Sequence, residues 1–180
     1  YSPRLSQRSG QRKIITIEEL KGNFRYWLHI HAADRYYNPN EIGFFNSKNF
    51  IQYGSRVSYQ ILNKNKYFRN FQTMLYLGYQ TRYDSNLKNR NGFSFSTSFQ
   101  NNNLWRFSIR FRGVSKLKDW YETRTEDRFI LDPKSLTTSI GIDSDNTKKF
   151  SYGTDYIFTK YKNYQFDENK KQNEFRFYVD

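Results

Sequence analysis

From Phe24 to Ala32 the chain alternates, with Phe24, Tyr26, Leu28 and Ile30 on one side and Arg25, Trp27, His29 and His31 on the other. A period of two is the signature of a β-strand, because successive side chains leave the pleated backbone on opposite faces. The same period predicts strands from Ile51 to Ile61, Phe71 to Tyr83, Phe93 to Gln100 and Trp105 to Arg112. Shorter ones are predicted at Thr138 to Ile142, Phe150 to Phe158 and Glu174 to Val179, about eight strands in all. None of these runs repeats its apolar residues three and four apart, as a helix would require.

The predicted connections fall into two groups. Asn63 to Lys66, Gln100 to Asn103 and Asp143 to Lys148 are tight and polar, as hairpin turns are. Ala33 to Lys48, Asp84 to Asn91, Ser115 to Ser135 and Lys162 to Asn173 are longer and join strands at the opposite end. Short turns at one end and long loops at the other are the asymmetry of outer-membrane barrels. Several runs also reach the roughly 9 to 11 residues that cross a bilayer at a tilt, against about 5 to 6 for strands of globular proteins. The expected fold is therefore all-β: an antiparallel transmembrane β-barrel, or a segment of a larger one. Residues 1–22 are read as an N-terminal connecting segment and residues 23–180 as the barrel strands.

Composition sharpens this picture. Hydrophobic residues are only 36% of the 180, yet 20% are aromatic, with 16 Tyr, 17 Phe and 3 Trp. Rings, not aliphatic side chains, carry the apolar surface, and so aromatic a chain is not a disordered one. Without cysteine there is no disulfide framework and no thiolate metal site. No stretch approaches the roughly 18 consecutive apolar residues of a membrane-spanning helix. Barrel strands need none, since their lipid-facing and lumen-facing residues alternate. The chain opens at Tyr1 with neither methionine nor an apolar leader and closes in mid-strand at Phe177 to Asp180. A mature or truncated sequence with further strands is expected from that.

The net charge of +13 favours anionic partners such as phospholipid, lipopolysaccharide or acidic glycan. Nucleic acid is not expected, because the cations are spread over strands, turns and loops and no recognition motif is present. Arg106, Arg110 and Arg112, with Arg56 and Arg82, form the candidate basic wall of a lumen, which would prefer anions unless carboxylates neutralise it. His29 and His31 point to the same face, but two ligands fall short of a zinc site and no metal is expected. The loop bearing Asp119, Trp120, Tyr121, Glu122, Arg124, Glu126, Asp127 and Arg128 combines carboxylates, arginines and rings that suit a sugar, or equally a solvated ion-paired loop. Trp120, Tyr121, Glu122, Arg124 and Arg128 are its candidate ligand contacts. Asp143, Ser144, Asp145 and Asn146 lack the Gly and closing Glu of a calcium loop and read better as a turn. With no phosphate loop, nucleophile elbow or paired-histidine zinc helix, catalysis is not indicated and no cofactor is expected.

Asn40, Glu41, Ile42, Gly43, Phe44 and Phe45 with Asn49, and Trp120, Tyr121, Glu122, Thr123 and Arg124 with Arg128, Phe129 and Pro133, carry a resemblance. They resemble a Bacteroidota family of large outer-membrane proteins, in which a family-nine-like carbohydrate-binding domain precedes a barrel-like C-terminal region of unknown function. The resemblance runs from about Arg12 onward and would place the chain wholly within that C-terminal region. It implies a bacterial outer-membrane location, lipid as a partner, and loops that meet glycan or other envelope proteins. It brings no catalytic motif. Two readings stand: an outer-membrane barrel with a structural or transport-associated role, and a soluble or surface carbohydrate-binding β-domain, alone or within a carbohydrate-active enzyme.

Overall fold

The computed structural model describes residues 9–37, 48–119, 128–163 and 168–179. It is an all-β structure built on one large antiparallel sheet. In chain order the strands are β1 (Arg12–Glu18), β2 (Phe24–Ala33), β3 (Phe50–Ile61), β4 (Asn70–Arg82), β5 (Lys88–Gln100), β6 (Arg106–Val114), β7 (Leu117–Asp119), β8 (Ile130–Asp132), β9 (Ser135–Asp143), β10 (Tyr152–Asn163) and β11 (Glu168–Val179). Nine of them form a meander in the order β1-β2-β3-β4-β5-β6-β9-β10-β11, while β7 and β8 make a separate two-stranded ribbon. Each large strand pairs with its chain neighbour, the pattern that short connections impose.

The sheet is open: among the described residues β1 and β11 form its two edges and do not pair with each other. The expected closed barrel is thus not present as such. Nor is the strand count eight. Arg12–Glu18, within the segment read as a connection, pairs with β2 from Arg12↔Ala33 to Glu18↔Trp27. It is too short, and too charged at both ends, for its alternation to stand out.

Two connections expected to be long are short. β5 starts at Lys88, so only 83–87 separate it from β4, and β11 starts at Glu168. Both extensions are polar on both faces, which leaves no period to read. Their backbone ladder continues all the same, as in Asn163↔Glu168 and Lys162↔Asn169. The β4–β5 ladder slips between Gln80↔Arg90 and Thr81↔Lys88, leaving Asn89 as an extra, buried residue. The strand ends that flank the two long connections, Ala33 with Phe50 and Val114 with Ser135, stand at the same end of the sheet as the short 83–87.

Side chains lock that end. Asp34 accepts hydrogen bonds from the Gln11 amide at 2.7 Å and from the Tyr36 and Tyr37 amides at 2.8 Å. Asp84 accepts from Arg82 Nε at 3.0 Å, Arg82 Nη2 at 2.9 Å and Asn49 Nδ2 at 2.9 Å, and its own amide donates to Asn49 Oδ1 at 3.2 Å. Burial works to raise the Asp84 carboxyl, but the bonds from Asn49, Arg82 and Ser85 and the Arg82 charge outweigh it and hold it below its ordinary value. The sign follows. This carboxylate stabilises fully above an unfolded-state value of about 3.9, and the stabilisation is lost as pH falls through the lower folded value. Asp84→Ala should cost about 1 kcal/mol at neutral pH and less at an acid pH below the lowered folded value, where the carboxylate is protonated in the folded chain as well. Amide-exchange protection of Tyr83 and Asn49 measures it; an equal cost at both pH values would count against this role.

Candidate functional site

The two faces of the sheet differ sharply in chemistry. Direct partners carry one apolar row across eight strands, from Phe24 through Tyr59, Thr73, Thr97, Ile109, Ile140 and Tyr156 to Phe175. A neighbouring row joins Tyr26, Val57, Leu75, Phe95 and Phe111. Stacked pairs reinforce these rows, Phe99 on Phe107 at 4.8 Å and Phe95 on Phe111 at 6.4 Å between ring centres.

This apolar face is uncovered. Phe24 is 57% exposed, Leu77 50% and Ile140 47%, whereas the only hydrophobic side chains buried among the described residues are Ala33 at 1% and Phe50 at 6%. Along β2 the exposed positions are Phe24, Tyr26, Leu28 and Ile30, and Arg25, Trp27, His29 and His31 between them are the better covered ones. A sheet folding around a water-excluding core has the opposite arrangement. So continuous an apolar surface normally meets a partner or a membrane.

The other face carries the charge. β2 through β6 contain seven arginines, Arg25, Arg56, Arg82, Arg90, Arg106, Arg110 and Arg112, and no Asp or Glu. Register puts all seven on the face opposite the apolar rows. One row there runs Arg25, Ser58, Met74, Ser96, Arg110 and Ser139, and the next Trp27, Arg56, Tyr76, Ser94, Arg112 and Thr137. Arg82 is ion-paired with Asp84 at 2.9 Å. Arg56 lies over the Trp27 ring at 5.5 Å. Arg25, Arg56, Arg90, Arg106, Arg110 and Arg112 form no ion pair among the described residues. Acids stand on this face only at the sheet's flanks: Glu18 of β1, opposite Trp27, and in β9–β11 Asp143, which accepts a hydrogen bond from the Tyr178 hydroxyl, and Glu174, which pairs with Arg176 at 2.6 Å.

Between the two halves of the arginine set lies a depression of about 240 Å³, lined by Gln52, Tyr76, Gly78, Gln80, Arg90, Gly92, Ser94 and Arg112. Its floor belongs to a cross-strand row, His29–Gly54–Gly78–Gly92. Rings close over part of that floor: a Cβ at Gly54 would stand 3.0 Å from the Trp27 ring, and one at Gly78 3.0 Å from the Tyr76 hydroxyl.

The residues singled out from sequence fall into two groups. Arg56, Arg82, Arg106, Arg110 and Arg112 share this polar face, though Arg82 sits at its end with Asp84 and Arg106 opposite Asp143. Trp120, Tyr121, Glu122 and Arg124 lie outside the described residues, as do Asn40 to Phe45; Arg128 stands just before β8. Arg90 and the glycine row were not legible, Arg90 because its stretch reads as a loop. His29 stacks on Trp27 at 4.8 Å, and His31 Nε2 accepts a hydrogen bond from Arg12 Nε at 2.8 Å, so these histidines make local contacts. The described residues hold no group of three or more metal-ligating side chains. Asp145 Oδ1 accepts from the amide and hydroxyl of Thr147 at 2.9 and 2.6 Å, forming the turn between β9 and β10.

A family model described as a domain of unknown function, DUF5916, matches residues 2–180. Comparison with curated proteins and with solved structures found no match.

Proposed function

The chain belongs to the DUF5916 family, and from its geometry we propose that it is the wall of an antiparallel transmembrane β-barrel in a bacterial outer membrane, with a structural or transport-associated role. The observation that carries this reading is the inside-out sheet, with rings and aliphatic side chains exposed on one face and arginines on the other. Hydrocarbon is the solvent that stabilises such a face. β3, β4, β5 and β10, of 12, 13, 13 and 12 residues, are long enough to cross a bilayer.

The rims add support. At the end formed by 19–23, 62–69, 101–105 and 144–151, Lys66 lies over the Tyr67 ring at 5.7 Å, Lys149 over Phe150 at 5.8 Å, and Trp105 meets Tyr152 edge-on at 5.5 Å. At the other end Arg35 lies over Tyr36 at 4.8 Å. Rings beside cations suit the headgroup layers on either side of a membrane. In lipid every strand edge must be paired, so this reading requires β1 and β11 to be closed by strand pairing within the barrel. On this reading the long-loop end is where glycan, lipopolysaccharide or envelope proteins would be met, as the resemblance implies.

The test is solvent dependence. The purified chain should be folded and monodisperse in detergent micelles and should aggregate on detergent removal, as followed by light scattering and circular dichroism. A chain that stays monodisperse and β-rich in plain buffer would end the membrane reading and favour a carbohydrate-binding β-domain, whose exposed rings stack on sugars.

A further inference from the structure

We propose that the depression between Arg90 and Arg112 is a binding site for a small oxyanionic group, a carboxylate or a phosphate carried on a polar molecule. The site lies on the polar face whether or not the opposite face meets lipid, so the inference goes beyond the membrane reading and does not depend on it.

Charge is the first reason. Five consecutive strands, β2–β6, bring seven arginines to one face with no carboxylate among them. Such a one-signed surface concentrates anions, and a concave place in it focuses the field further. The acids of this face in the main sheet lie outside β2–β6: Glu18 in β1, opposite Trp27 and four strands from β5, and Asp143, Asp155 and Glu174 in β9–β11. Arg112 pairs with Thr137, and Gly141, the position beside Asp155, is four residues further along β9, about 14 Å away at strand rise. Neither Arg90 nor Arg112 forms an ion pair among the described residues.

Shape is the second. Arg90 and Ser94 share the polar face of β5 with Gly92 between them, and Arg112 stands directly opposite Ser94. Each residue therefore stands about 7 Å to one side of Gly92 along the strand direction, so Arg90 and Arg112 line the hollow from opposite sides. A guanidinium fork matches the two oxygens of a carboxylate or phosphate and is weakly hydrated, which suits it to this task. Gln52, Gln80 and Tyr76 supply neutral donors and acceptors for the hydroxyls of a carrier. At about 240 Å³ the hollow is smaller than the roughly 300–1,000 Å³ of pockets for drug-sized ligands. It is sized for one small group.

The experiment uses the whole chain, in whichever of buffer or detergent keeps it folded, titrated separately with inorganic phosphate and with glucuronate by isothermal calorimetry. At least one should bind saturably with one-to-one stoichiometry: phosphate alone identifies a phosphate ligand, glucuronate alone an acidic sugar. Arg90→Gln and Arg112→Gln should each weaken binding about tenfold or more. Arg112→Lys, which keeps the charge and loses the fork, should weaken it too, while Arg106→Gln should stay within about twofold. Ser94→Asp, which removes no arginine, should abolish binding by setting a carboxylate beside Arg112. The proposal is overturned if neither anion binds saturably, if Ser94→Asp binds normally, or if all arginine variants lose affinity equally, which would mean a diffuse field without a site. Saturable binding in a chain soluble without detergent would leave this site standing and end the membrane reading; a detergent-dependent chain without such binding would do the reverse.

Discussion

Replacing Leu77 by arginine should lower the fraction of chain that inserts and folds in phospholipid vesicles by roughly 30-fold or more, because an arginine at the midplane of a barrel's lipid face costs about 2–4 kcal/mol. Leu77 lies midway along β4 on the apolar face, 50% exposed, between Ser55 of β3 and Phe93 of β5. The size of the effect decides between solvents. In water, an exposed leucine exchanged for arginine changes stability by no more than about 0.5 kcal/mol. Ser98→Arg, on the polar face between Gln72 and Ser108, serves as the control and should insert normally. Flotation of the chain with vesicles, followed by protease protection, measures both. Equal insertion of Leu77→Arg and the unaltered chain would mean that the exposed rings do not face acyl chains.

Gly92→Ala should destabilise the sheet by about 1–3 kcal/mol, the usual range for overpacking, although only one methyl group is added. A Cβ there would lie 2.8 Å from the carbonyl oxygen of Gly113, a backbone atom held in the β5–β6 ladder. Relief requires the two strands to move apart. Gly78→Ala is the instructive comparison, since its Cβ would meet the end of the Tyr76 side chain at 3.0 Å, and that ring can swing aside. It should cost less than about 1 kcal/mol. Denaturant midpoints of the two variants in the same medium test the contrast, and an equal loss in both would show that the Gly113 carbonyl is not the constraint.

Legibility varied with position. The strands with clean alternation, Phe24–Ala33 and Asn70–Arg82, match their predicted spans to within one residue at each end. Where both faces are polar, as at Lys88–Asn91 and Glu168–Asn173, the period vanishes and strand reads as loop. The ladder there is held by backbone hydrogen bonds, which leave no mark on side-chain polarity. β1 is masked in the sequence for a related reason: seven residues with charged ends resemble a polar linker, and only the ladder with β2 makes them a strand.

The candidate site shows the same division. That Arg106, Arg110 and Arg112 lie opposite Phe107, Ile109 and Phe111 follows from the chain alone, because the pleat alternates side chains whatever the neighbouring strand is. That the apolar side is left uncovered does not follow from it. A two-layer sandwich and a membrane wall share one period and differ only in what the rings meet.

Likewise, nothing local shows that Gly54, Gly78 and Gly92 stand side by side, or that Arg90 and Arg112 border one hollow across β5 and β6. Those alignments depend on register, set by which backbone groups on different strands bond to one another. A slip of one residue would turn every side chain of a strand to the other face, and a slip of two would keep the faces but scatter the row. The period of side chains is a property of a single strand and was readable in the sequence; their assembly into a hollow is a property of several strands together and was decided by the tertiary structure.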